Sequence, residues 1–116
     1  MKLTNAKMME SLRVLSQAEE TGTLGFAIAK NRRKIQEEVK EYSAKYDELL
    51  AKYGTDQGNG TYSIPRENLA AFEAELQPFA ELTAEVNTMQ VPMDVFCGGG
   101  LTSQQMYVLE WMVKEE

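Results

Sequence analysis

Residues 24–53 read LGFAIAKNRRKIQEEVKEYSAKYDELLAKY and carry the longest helical pattern in the sequence. Apolar and aromatic side chains recur there at intervals of four and three residues, which places them on one face of an α-helix. Gly54 follows directly and is a residue type that often ends helices. We therefore predict one continuous helix from Leu24 to Tyr53. The residues on its apolar face, here called the seam, are Ile28, Ile35, Val39, Tyr42, Tyr46, Leu49 and Tyr53.

The length of this helix predicts contact with a second copy of the chain. At about 1.5 Å per residue the helix is roughly 45 Å long. One small domain can hardly cover such a helix along its whole length, so part of the seam is expected to meet a helix of another copy. The protein is accordingly predicted to be a homo-oligomer.

Capping signals predict three shorter helices. Thr4 and Thr102 each precede a run with helical spacing, and their hydroxyl groups can accept a backbone N–H of the first turn. Gln105 lies three residues after Thr102, which is the pattern of a capping box. Pro78 falls inside the middle helix of the three and is expected to kink it or to end it early. The predicted helices cover residues 5–19, 66–82 and 103–114.

Two segments have the pattern of β-strands. Residues 61–64 form one candidate, and residues 86–96 alternate apolar with other residues at a period of two. We expect these two segments to pair as a minor antiparallel ribbon. The predicted fold is mainly α, in an α+β arrangement of one long central helix, three shorter helices and a two-stranded ribbon. It occupies residues 1–116 as a single helical domain.

The composition excludes several classes of catalytic site. With 116 residues, the chain can bury a core without help from a metal or a disulfide. The sequence contains no histidine, which excludes Ser-His and Cys-His catalysis and metal sites built on histidine. The single cysteine, Cys97, lies between apolar residues and glycines and is expected to be a small buried side chain. We predict no enzyme activity, no metal and no cofactor.

Charge and hydropathy predict a cytoplasmic protein that binds neither membranes nor nucleic acid. No apolar run approaches the roughly 18 residues that span a bilayer, and the first residues lack the apolar segment of a signal peptide. The net charge of −6 disfavours generic binding to nucleic acid. Residues 1–34 hold seven Lys or Arg and three Glu, whereas residues 35–116 hold five Lys or Arg and fifteen Asp or Glu. Such a bipolar charge can steer head-to-tail contacts or draw an anionic ligand to one end.

The basic segment Lys30–Lys34 is the most suggestive stretch for ligand binding. Ion pairs with the glutamates among residues 37–41 would explain it structurally, as would packing of the Arg32 stem at the end of the seam. Alternatively, Arg32 and Arg33 could hold a phosphate or a carboxylate, and tyrosine rings could stack on a nucleotide base. The candidate ligand-binding residues are Lys30, Arg32, Arg33, Tyr42 and Tyr46.

The glycine run Gly98–Gly100 is expected to be a hinge or an entry loop ahead of the last helix. It lacks the spaced glycines of a dinucleotide fingerprint and the Lys-Ser/Thr of a P-loop. Its backbone N–H groups could still bind an anion at the start of that helix.

Five short motifs are shared with a known family: KLTN at 2–5, AIAKN at 27–31, KYG at 52–54, GTYSI at 60–64 and LEWMV at 109–113. Through them the chain resembles a family of small proteins that are encoded by phages and prophages of Gram-positive bacteria and known only as a domain of unknown function. The resemblance implies a bacteriophage protein. It brings no catalytic residues with it, because the family has no established activity, and the run Gly98–Gly100 departs from the family pattern.

What the resemblance implies about function is binding rather than catalysis. We expect a non-catalytic, homo-oligomeric binding protein that antagonises a host defence factor. It would do so either by binding a host protein, through the acidic region after residue 35, or by sequestering a small anionic or nucleotide ligand at Arg32 and Arg33. The alternative is a structural or assembly component of a phage particle.

Overall fold

Most of the chain is helical, as the spacing of its apolar residues predicts. The computed structural model describes residues 1–114. Its helices are α1 (Asn5–Gln17), α2 (Gly22–Glu38), α3 (Lys40–Tyr53), α4 (Arg66–Ala80), α5 (Met93–Cys97) and α6 (Ser103–Val108), followed by a 3-10 turn (Glu110–Met112). The strands are short: β1 (Lys2–Thr4), β2 (Thr55–Asp56), β3 (Tyr62–Ser63) and β4 (Thr83–Glu85).

The predicted long helix is interrupted at Val39, which separates α2 from α3. Val39 has φ −90° and ψ 0°, outside the usual helical region. Its N–H still donates to the carbonyl of Ile35 and its carbonyl accepts from Ser43, each at 2.9 Å. A single continuous helix is therefore not confirmed. Because the apolar period continues across Val39, the sequence pattern carried no sign of the change.

The seam is covered from within the same chain. α1 packs on α2, and α4 packs on α3. The rings of Tyr46 and Tyr53 are half-buried and meet the ring of Phe72 of α4 edge-on, at centroid distances of 5.7 and 6.4 Å. The reason for expecting a second copy at the seam thus falls away, while the oligomeric state itself stays a prediction. The buried members of the seam are Ile28, Ile35, Val39, Tyr42 and Leu49.

The predicted caps are confirmed, but several helix ends differ from the expectation. The hydroxyl of Thr4 accepts the N–H of Lys7 at 3.0 Å. Thr102 and Gln105 form both bonds of the capping box, at 2.9 and 3.1 Å. The last helix is shorter than predicted, because it passes into the 3-10 turn after Val108. Pro78 lies in the last turn of α4, which ends at Ala80, two residues before the predicted end.

The strand pairings differ from the predicted ribbon. β3 pairs antiparallel with β2, so that Thr55 faces Ser63, and β4 pairs antiparallel with β1, so that Leu3 faces Ala84. Residues 86–96 form no strand beyond an isolated bridge from Val91 to the C-terminal segment, and α5 begins at Met93. β3 finds its partner locally because the short connection after β2 closes a hairpin before a distant segment can pair.

A buried hydrogen bond ties the C-terminal segment to α1. The indole N–H of Trp111 donates to the hydroxyl oxygen of Ser11 at 3.0 Å, with both residues in the core. This pair is important because a buried indole N–H without an acceptor loses its hydration without compensation. Around the pair lie Met8, Leu15, Leu109 and Met112, all of them fully buried.

We expect the substitution Ser11→Ala to lower the free energy of unfolding by about 1–3 kcal/mol, because the indole N–H of Trp111 is then buried without an acceptor. The measurement is urea denaturation, followed by Trp111 fluorescence. The matched control is Ser16→Ala, at an exposed position of the same helix. Equal stability of the two variants would contradict the role of the bond.

An ion pair joins α3 to α4 at the surface. The ammonium group of Lys52 donates to the carboxylate of Glu75 at 2.8 Å. This hydrogen bond is the main reason why the pKa of Glu75 lies below its ordinary value of 4.5. A carboxylate with a lowered pKa stabilises the fold above its unfolded-state pKa, and this contribution disappears as the pH falls through the folded value.

The variant Glu75→Gln should therefore lose stability relative to the wild type at neutral pH but not in acid. We expect the difference between their unfolding free energies to shrink as the pH falls below about 4.5, the ordinary pKa of Glu75. Denaturation at a series of pH values measures it, with Glu73→Gln as a control on the same helix. If the difference in unfolding free energy between Glu75→Gln and wild type does not change with pH, the ion pair of Lys52 and Glu75 does not have this stabilising role.

Candidate functional site

The predicted ligand-binding residues do not converge on one site. Arg32 borders a surface depression of about 520 Å³ together with Glu19 and Glu20. Arg33 borders a different depression, of about 460 Å³, on the side of α2 that faces β4. Consecutive residues of a helix point about 100° apart, so neighbouring arginines serve different surfaces. Arg32 and Arg33 therefore do not converge on one anion.

Tyr42 and Tyr46 line a third surface depression, here called the tyrosine cleft. Its volume is about 360 Å³, and its charged residues are Glu10 and Arg13 of α1 rather than Arg32 and Arg33. Burial, together with the neighbouring Tyr46, raises the pKa of Tyr42, so its hydroxyl is neutral at physiological pH. The cleft offers ring surface and one guanidinium, but also a carboxylate that would repel an anion.

One residue of the basic segment, Asn31, anchors another part of the chain, a role that was not predicted from the sequence. Asn31 is fully buried, and its side chain pairs with the backbone of Met89: Nδ2 donates to the carbonyl at 2.8 Å and Oδ1 accepts the N–H at 2.7 Å. The ammonium group of Lys34 donates to the carbonyl of Asn87. Asn31 lies three residues after Ile28 and four before Ile35. This helical spacing places it on the buried face and could have identified it from the sequence as a buried residue.

The other cations of the segment are exposed and have no acidic partner. Within residues 1–114, Lys30, Arg32 and Arg33 form no ion pair within 4 Å. The expected pairing with the glutamates among residues 37–41 is therefore absent from this part of the chain. Cations without an internal partner are available to an anionic group from outside.

An exposed aromatic side chain lies beside these cations. Phe26 is 62% exposed, on the side of α2 opposite to its buried residues. Three further exposed residues follow it at helical spacing on the same side, and we call this surface the Phe26 face. Its members are Phe26, Ala29, Lys30 and Arg33. Phe26 does not stand out in the sequence, because it lies outside the seam and a single aromatic residue forms no periodic pattern.

A further surface depression lies between α1 and α4 and is called here the α1–α4 groove. It has a volume of about 390 Å³ and an apolar floor, with carboxylates on the α4 side. Phe79 and Leu82, near the end of α4, are also exposed. The groove is lined by Thr4, Ala6, Glu73, Leu76, Gln77, Ala80 and Glu81.

The glycine run is engaged by a carboxylate of the chain itself. The N–H of Gly100 donates to Glu20, and a methyl group added at Gly99 would lie 2.9 Å from the Glu20 carboxylate and 2.6 Å from Leu24. The anion that these backbone groups were predicted to bind is thus an internal one. A side chain at Gly99 would therefore have to shift the Glu20 carboxylate and the end of the Leu24 side chain.

The prediction that Cys97 is buried is wrong. Cys97 is exposed at the last position of α5, and its sulfur lies 3.5 Å from the sulfur of Met93. In this five-residue helix the preceding residue, Phe96, points into the core, so the next side chain points outward. Among the residues described, no group of three or more Cys, Asp or Glu could hold a metal ion, and no helix could cross a membrane.

Asn31 provides the sharpest test of this part of the molecule. Asn31→Ala leaves the N–H and the carbonyl of Met89 without partners, so we expect a loss of roughly 2–4 kcal/mol in unfolding free energy. Hydrogen exchange should become faster in residues 87–91. The control Arg33→Ala, two positions away and exposed, should change stability by less than about 0.5 kcal/mol. If hydrogen exchange in residues 87–91 is no faster in Asn31→Ala than in wild type, Asn31 does not anchor this segment.

Comparisons with protein-family models, with curated proteins and with solved structures give no match to this chain.

Proposed function

We propose that the protein is a non-catalytic binding protein that contacts a partner protein through the Phe26 face. One observation carries the proposal: Phe26 is 62% exposed beside Lys30 and Arg33, which form no ion pair in the described part of the chain. The other large apolar residues of α2, Leu24, Ile28 and Ile35, are buried, so Phe26 alone among them is presented to a partner.

The chemistry of the Phe26 face fits a protein interface. Aromatic residues and arginine are enriched in interface cores and among the residues that contribute most to binding. Unpaired cations around an aromatic side chain favour a partner with an apolar patch and acidic residues, and they raise its rate of association. The proposed contact surface is thus the basic part of α2 rather than the acidic region after residue 35.

Sequestration of a small ligand is less well supported. Four of the five candidate residues, Arg32, Arg33, Tyr42 and Tyr46, divide among three separate surface depressions, each with at least one carboxylate on its rim. A small anion needs several convergent donors to be bound tightly. The distribution of Arg32, Arg33, Tyr42 and Tyr46 provides no such convergence, so we favour protein binding.

The resemblance to phage-encoded proteins supplies the biological part of the proposal. On that basis the protein is a bacteriophage protein of the host cytoplasm, and binding would antagonise a host defence factor. The alternative role is assembly of a phage particle, where the partners are other copies. The α1–α4 groove supports this alternative, because it is a second surface whose charge is opposite to that of the Phe26 face, and copies that assemble need two such surfaces.

Photo-crosslinking from position 26 tests the proposal. A benzophenone amino acid at Phe26, in protein produced in a Gram-positive bacterium, should form one discrete adduct identified by mass spectrometry. The same probe at Tyr107, an exposed aromatic residue of α6, is the control. Adducts that are absent, or identical at both positions, would contradict the Phe26 face as the contact.

With the partner purified, Phe26→Glu should weaken binding by roughly thirtyfold or more, as expected for an aromatic residue at an interface centre. Tyr107→Glu should leave affinity unchanged, and Phe26→Leu should retain most of it because the contact stays apolar. Isothermal titration calorimetry measures all three variants. Equal affinity of Phe26→Glu and wild type would refute the role of Phe26.

A further inference from the structure

We infer that a second copy of this chain is a partner of the Phe26 face, and that the face docks in the α1–α4 groove of that copy. The inference rests on the proposed use of the Phe26 face and names what it contacts. Two surfaces of the same molecule carry it, one basic with a projecting aromatic ring and one acidic with an apolar floor.

The apolar parts of the two surfaces are complementary. Phe26 projects from α2, while Ala6, Leu76 and Ala80 form an apolar floor in the groove. The groove volume of about 390 Å³ exceeds the ~150 Å³ that suffices for a benzene ring in a protein cavity. Docking would remove from water an aromatic ring that the monomer leaves exposed.

The charges on the two surfaces are complementary in sign. Lys30 and Arg33 are three residues apart, which is about 4.5 Å along the helix, and both follow Phe26 on the same side of α2. Glu73 and Glu81 of the groove are eight residues apart, or about 12 Å along α4. Neither carboxylate forms an ion pair in the described chain, although Glu81 accepts a hydrogen bond from Gln77 at 2.8 Å.

The contact joins two different surfaces, so it is heterologous when a pair of copies makes it only once. A copy whose face is docked still has a free groove, and a copy whose groove is filled still has a free face. Such contacts close into rings or grow into filaments, depending on the rotation between successive copies. The uneven charge along the chain, basic before residue 35 and acidic after it, is what a head-to-tail arrangement requires.

A charge exchange tests the inference by sedimentation velocity over a concentration series. The face variant is Lys30→Glu with Arg33→Glu, and the groove variant is Glu73→Lys with Glu81→Lys. Each variant alone sets like charges against each other, so self-association should weaken by roughly tenfold or more. An equimolar mixture restores both complementary contacts and should associate within about threefold of wild type.

The control is Lys40→Glu with Arg66→Glu, which changes the net charge as the face variant does at exposed positions outside both surfaces. It should associate like wild type. Far-UV circular dichroism verifies that every variant is folded. Phe26→Glu should be monomeric at concentrations where wild type associates.

Two results would overturn the inference: a wild type that stays monomeric up to its solubility limit, or a mixture of the two charge variants that associates no better than either alone. A monomeric wild type that still crosslinks to another protein from position 26 leaves the proposed function standing. Absence of any crosslink together with monomeric behaviour removes both.

Discussion

Burial of the seam along α2 and α3 is the constraint on which the remaining structure depends. α1 covers the α2 half and α4 covers the α3 half, so both helices are placed by one apolar surface. The interruption at Val39 lies within this buried surface, and the N–H and the carbonyl of Val39 are both hydrogen-bonded. Once the seam is closed inside one chain, the outer side of α2 and the gap between α1 and α4 are among the surfaces that remain uncovered.

Polar groups inside this arrangement anchor segments without regular structure. The Asn31 amide holds Met89 through two hydrogen bonds, and Ser11 holds the indole of Trp111. Both interactions satisfy groups that would be costly to bury alone, and they bring distant parts of the chain onto α1 and α2. The Asn31 anchor holds the segment after β4 in place as an irregular connection rather than as the predicted strand.

The functional interpretation follows from what the core leaves outside. Phe26, Lys30 and Arg33 face solvent because Asn31 and the seam residues occupy the other side of α2. The groove between α1 and α4 stays open because α4 packs mainly on α3. One surface is basic and the other acidic, so the fold that closes the seam internally also presents two surfaces suited to intermolecular contact.

The sequence by itself determined the helical class, the caps at Thr4 and Thr102 and the apolar face of α2 and α3, because helical period and capping are local properties. It also pointed to the basic segment. Only the tertiary structure decided that the seam is covered internally, that Asn31 is an anchor, and that the arginines diverge. These depend on which segments pack together, and the hydrogen-bond partner of a buried amide can lie far away in the chain. The exposure of Phe26 was likewise settled by packing, since it depends on whether another element covers that side of α2.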